Sequence, residues 1–143
     1  MIKTLILSVF VCLFTSCVTI QAPQVKRVTN LQTSGLLSGT PTVNFEIQLY
    51  NPNSVSLTLT NFSVNVNYGT ASLATINTDT TQQIGAMSNF TVPLSFQPTA
   101  QHISNILQSG SAILNQTGGA RLNGKGTIYL QKFIFGKTFD FSF

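Results

Sequence analysis

The sequence predicts an all-β domain with one helix, an antiparallel β-sandwich or small barrel, on the strength of three observations. Short runs with apolar residues at every second position recur between Val25 and Phe143, the period of a strand with one buried face. Turn-forming residues separate these runs, most clearly Asn51-Pro52-Asn53. One segment, Ala100 to Leu114, changes to a helical period. Several short strands punctuated by turns fit a sandwich or a barrel better than a layered α/β fold.

Residues 1–16 stand apart from this pattern. Lys3 supplies a positive start, Leu5 to Phe14 an apolar run, and Thr15-Ser16 the small residues that precede Cys17. The segment resembles a bacterial lipoprotein signal, with Phe14 where an aliphatic residue is usual. The resemblance implies cleavage before Cys17 and a lipid on its sulfur. An uncleaved membrane helix would need about 20 apolar residues, more than the run provides. The expected organisation is thus a signal at 1–16, a lipidated tether at 17–24 and one domain at 25–143. Both cysteines lie in residues 1–17, so the domain must be held by packing, without disulfide or thiolate chemistry.

Along the domain, strands are expected at Val25–Thr33, at Val43–Leu49, and across Val55–Leu59 and Phe62–Tyr68. Parity flips at Thr60-Asn61, which demands a bulge or a short turn if both halves are to bury the same face. Further strands are expected at Ala71–Ile76, Phe90–Phe96, Leu122–Gln131 and Thr138–Phe143, with Asp79 in a turn-like Asn-Thr-Asp-Thr-Thr run. In the helical segment Ile103, Ile106, Leu107, Ile113 and Leu114 form a stripe about 120° wide, with Thr99 as its cap and Gly110 inside the stripe.

Composition narrows the chemistry. Charged residues make up 7% of the chain against 43% hydrophobic, so the fold has a core and a surface dissolved mainly by neutral polar groups. The net charge of +4 is scattered and does not form a nucleic-acid surface. His102 is the only histidine, and no Gly-x-Ser-x-Gly elbow accompanies it. Glu46, Asp79 and Asp140 are the only acids, and alternation sends Glu46 to solvent, which leaves no facing carboxylate pair and no metal-ligand cluster. The segment Gly119 to Gly126 approaches a phosphate loop but has Gly126 in place of the hydroxyl and runs into a strand. No catalytic residue, cofactor or metal is therefore expected, and no small-molecule substrate is identified. Asn61, Asn89 and Asn115 begin glycosylation-type triplets, which a bacterial-type signal discounts.

The order of elements resembles the late-embryogenesis-abundant type 2 family, the water-stress and hypersensitive-response domain. The residues concerned are a strand ending in Asn51-Pro52-Asn53, the Phe90-Thr91-Val92-Pro93-Leu94 strand, one helix and a closing strand pair. That resemblance implies a sandwich of the fibronectin type III or immunoglobulin-like kind and a protective, non-enzymatic role under desiccation or osmotic stress. Cys17, followed directly by Val18 and by no acidic run, resembles lipoproteins that are neither retained at the inner membrane nor sent to the cell surface, which implies a lipid-anchored protein of the cell envelope, on the outer membrane and facing the periplasm. Two alternatives remain open: an adaptor or structural subunit that holds another envelope protein, and a small outer-membrane barrel closed by the Phe139, Phe141, Phe143 strand.

Overall fold

The computed structural model describes residues 19–35, 38–69, 71–99, 101, 102, 104 and 122–143. Among the described residues seven strands are formed: β1 (Gln24–Ser34), β2 (Thr42–Tyr50), β3 (Leu57–Tyr68), β4 (Ala71–Ile84), β5 (Asn89–Phe96), β6 (Leu122–Lys132) and β7 (Phe135–Ser142). They pair into a three-stranded sheet ordered β1-β2-β5 and a four-stranded sheet ordered β4-β3-β6-β7, antiparallel throughout. This is the all-β sandwich that the alternation predicts. Two open sheets replace the closed ring of a barrel, and Phe141 is buried in the core. The outer-membrane barrel is therefore set aside.

The core follows directly from the period-two runs. Phe45, Ile47 and Leu49 on β2 face the same side as Leu94, Val92 and Phe90, their register partners on β5. Leu57, Leu59, Phe62, Val64 and Val66 on β3, with Ile128 and Leu130 on β6, supply the opposing layer. Each such side chain contributes roughly 1.5–3 kcal/mol by leaving water. At Leu59/Asn61 the register of β3 shifts against both β4 and β6. Against β6 Thr60 is the extra residue, while against β4 the longer side is β4, with Thr80 and Thr81 opposite Thr60; these bulges let both halves of β3 bury their apolar side chains. Edge strand β1 uses the same device twice, with shifts at Val25/Arg27 and Thr29/Gln32. Its half-buried residues Val25, Val28 and Leu31 can thereby face the core although they are spaced by three.

β4 runs beyond its expected end. The run around Asp79, expected as a turn, continues the strand to Ile84. Cross-strand hydrogen bonds explain the extension: Asn61 Nδ2 donates to Asp79 Oδ1 at 2.7 Å, Ser63 Oγ to Asn77 Oδ1 at 2.6 Å, and Gln83 Nε2 to Thr58 Oγ1 at 3.0 Å. Turn-favouring side chains pair with their neighbours on β3 in place of their own backbone. Of the expected helix, Gln101, His102 and Ser104 are helical, and the His102 amide donates to Thr99 Oγ1 at 3.4 Å, in the geometry of an N-cap. Ile103, Ile106, Leu107, Gly110, Ile113 and Leu114 lie outside the described residues, as do residues 1–18 with Cys17.

Glycines within β6 and β7 make room for aromatic rings. A Cβ on Gly126 would collide with the Ser63 carbonyl and the Phe141 ring, and one on Gly124 with the Phe143 ring. Phe141 of β7 and Phe143 just past it thus lie across β6 and reach the core, Phe141 standing 4.8 Å from Phe62 by ring centroids and Phe143 6.2 Å from Phe45. Gly124 and Gly126, from the segment that approached a phosphate loop in sequence, are the glycine floor under these rings.

Candidate functional site at the tether end of the sandwich

The two sheets share an end at which the β2–β3, β4–β5 and β6–β7 connections converge with the incoming N-terminal chain. Asn51, Pro52 and Asn53 are its centre. Proline holds the preceding Asn51 in extended geometry and presets the turn. More than a turn results, because Asn51 is 0% exposed and Asn53 4%, and buried amides must find partners.

Asn51 Nδ2 donates to Gly85 O at 2.8 Å and Val55 O at 3.2 Å. Its Oδ1 accepts from the Asn53 amide at 3.0 Å and from Asn53 Nδ2 at 2.7 Å. Asn53 in turn grips the N-terminal chain: its Oδ1 accepts from the Gln21 amide at 2.7 Å and its Nδ2 donates to Gln21 O at 3.1 Å. Backbone bonds close the set, Asn51 N to Ser88 O at 2.9 Å and Met87 N to Asn53 O at 3.0 Å. Two asparagines therefore join three chain segments at one end of the fold: the N-terminal chain, the β2–β3 connection and the β4–β5 turn. Ile20 and Pro23, which the sequence reading assigns to the tether, are buried against the body, so the chain is already docked three residues after Cys17.

The same end displays apolar groups to solvent. Phe133, Ile134 and Phe135 at the β6–β7 turn are 81%, 85% and 67% exposed, and Met87 in the β4–β5 turn is 58% exposed. Phe133 and Met87 also have left-handed backbones, with φ of 55° and 48°, a conformation uncommon for residues with side chains and worse for bulky ones. Sequence reasoning missed this patch. Its one signal was Phe133-Ile134-Phe135 between Lys132 and Lys137, where three consecutive large apolar residues break alternation.

The residues tested for catalysis remain apart. Glu46 is paired with Asn30, whose Nδ2 donates to Glu46 Oε2 at 2.7 Å, Asp79 with Asn61 on the opposite sheet, and Asp140 stands on β7. Among the described residues no three His, Cys, Asp or Glu side chains are grouped to hold a metal. A cleft of about 640 Å³ lies beside β1 with Val25, Val28, Leu31, Leu122 and Phe143 among its walls and Lys26 and Arg27 on it; it holds neither a nucleophile–base pair nor a carboxylate.

A solved structure, "Crystal structure of protein from Archaeoglobus fulgidus", is similar at 8% identity and a TM-score of 0.49, over 84% of this chain and 96% of that one. No curated protein matches the chain. Residues 46–142 match the family described as Late embryogenesis abundant protein, a span that covers more than half of the sequence and runs from β2 to the end of β7. The chain belongs to the LEA_2 family of late embryogenesis abundant proteins.

Proposed function

We propose that this protein is a non-enzymatic, lipid-anchored protein of the bacterial envelope that protects the cell under desiccation or osmotic stress. Family membership suggests the water-stress-related, non-enzymatic part of that role. The anchoring part rests on one observation: Lys3, the apolar run Leu5 to Phe14 and Thr15-Ser16 lead directly to Cys17, in the arrangement of a lipoprotein signal. Val18 follows Cys17 without an acidic run, which favours the outer membrane and its periplasmic face.

Incorporation of labelled fatty acid tests the anchor. Cys17→Ala should abolish the label, and label that persists in the variant refutes the assignment. Survival of a deletion strain after drying or osmotic shock tests the protective role, with loss restored by the intact gene and not by the Cys17→Ala form. The adaptor reading draws on the free edge of β7, which among the described residues pairs only with β6 and could accept a strand from another protein. A stoichiometric partner from crosslinked envelopes, lost when β7 is altered, would favour that reading.

A further inference from the structure

The four large apolar side chains exposed among the described residues, Met87, Phe133, Ile134 and Phe135, all fall at the end of the sandwich where the N-terminal chain docks. Nothing in the strand order requires this. β3 begins there at Leu57, β6 finishes there because Gln131 pairs with Thr58, and the β6–β7 tip projects beyond both. Among the described residues the turns of the opposite end carry Ser38, Gly39 and Gly69. Large apolar groups gathered on one face mark an interaction surface.

Chain length says what that face meets. Ile20 is buried and Gln21 is bonded to Asn53, so three residue steps separate Cys17 from the body, at most about 11 Å of extended chain. A lipid on Cys17 cannot hold the body at a distance, and it must bring this end toward the bilayer. Charge agrees with that orientation. Lys132 and Lys137 flank the tip and Lys26 lies 5.1 Å from the Tyr50 ring at the same end. The chain's three acids lie well along their strands, Glu46 paired with Thr29 and Pro93, Asp79 with Asn61, and Asp140 with Thr127. The tip is also a built feature: Gln131 Nε2 donates to Phe133 O at 2.6 Å, and the Tyr129 ring lies so close over Gly136 that a Cβ would collide with it.

We infer that this end of the sandwich is a membrane-contacting surface, in which Phe133, Ile134 and Phe135 enter the headgroup region of a bilayer containing anionic lipid while Lys132 and Lys137 lie against its phosphates. Aromatic and aliphatic side chains with flanking lysines suit that interface. The inference rests on the anchored reading for its geometry and is separable from it by experiment.

The chain contains no tryptophan, so one introduced residue reports alone. The full chain carrying Ile134→Trp, reconstituted into phosphatidylcholine–phosphatidylglycerol vesicles with brominated acyl chains, should show blue-shifted emission, lose most of its intensity to the bromines and resist iodide. Ser72→Trp, at the opposite end, should stay accessible to iodide and unaffected by bromine. If Ile134→Trp does not fold, Phe135→Trp serves in its place. An Ile134→Trp signal as accessible to iodide as that of Ser72→Trp overturns the inference. A signal shielded from iodide but untouched by bromine also overturns it, in favour of a second copy covering the patch. The mass of the N-terminal peptide from the same samples shows whether Cys17 is acylated. Acylation with a water-exposed tryptophan removes the membrane surface alone; bromine quenching without acylation removes the lipid anchor alone.

Discussion

Asn51 shows how a common turn residue becomes structural once it is buried. Its amide donates to two carbonyls from different connections, Val55 O and Gly85 O, and its oxygen accepts twice from Asn53. Asn51→Ala should therefore strand several buried polar groups, at roughly 1–3 kcal/mol for each left unsatisfied. The expected outcome is a marked drop in the denaturant midpoint. Gln83→Ala should barely move it, because the bond from Gln83 to Thr58 is exposed to water. Equal, small effects would show that the asparagine network does not hold the tether end together. From sequence the tripeptide was legible as a turn, yet its role as a clamp was not, since Gln21, Gly85 and Ser88 are brought to it only by the pairing of distant strands.

At the scale of elements, the parts most legible in the sequence were those with a strict period. The flip of parity at Thr60 required a bulge, and the register of β3 shifts there against both neighbours. Removing that one residue should be far worse than changing it. Deletion of Thr60 would turn Leu57 and Leu59 to the wrong face and should prevent cooperative folding, whereas Thr60→Ala should cost about 1 kcal/mol or less, as thermal melts of the two variants can show. β4 was less legible because Asn, Thr and Asp satisfy either a turn or a cross-strand ladder, and only the partner strand decides between them. Phe133 is a third case. A hairpin position with positive φ suits glycine, and holding a bulky residue there costs on the order of 1–3 kcal/mol. Phe133→Gly should consequently leave stability unchanged or raise it by about 1 kcal/mol, while weakening bromine quenching of a tryptophan at residue 134.

Across the whole molecule, the phenylalanines among the described residues divide between two duties that the alternation pattern alone does not separate. Phe45, Phe62, Phe90, Phe96 and Phe141 are buried, and β7 carries one of these together with the exposed Phe135 at its other end. The strand thus links the core to the face that the chain presents at its tether. Opposite responses are expected from one kind of substitution. Phe141→Ala removes a ring packed 4.8 Å from Phe62 over the glycine floor of β6, and should lower unfolding free energy by about 3–5 kcal/mol. Gly126→Ala attacks the same contact from below and should be destabilising as well, since the added carbon meets the backbone of β3. Phe135→Ser, by contrast, should leave the unfolding midpoint within about 0.5 kcal/mol of the parent and reduce the membrane contact of the tip. Denaturant melts of the three variants, and vesicle quenching of the same three carrying Ile134→Trp, read the two duties separately. A large loss of stability from Phe135→Ser would place that ring in the fold's packing and remove it from the membrane surface.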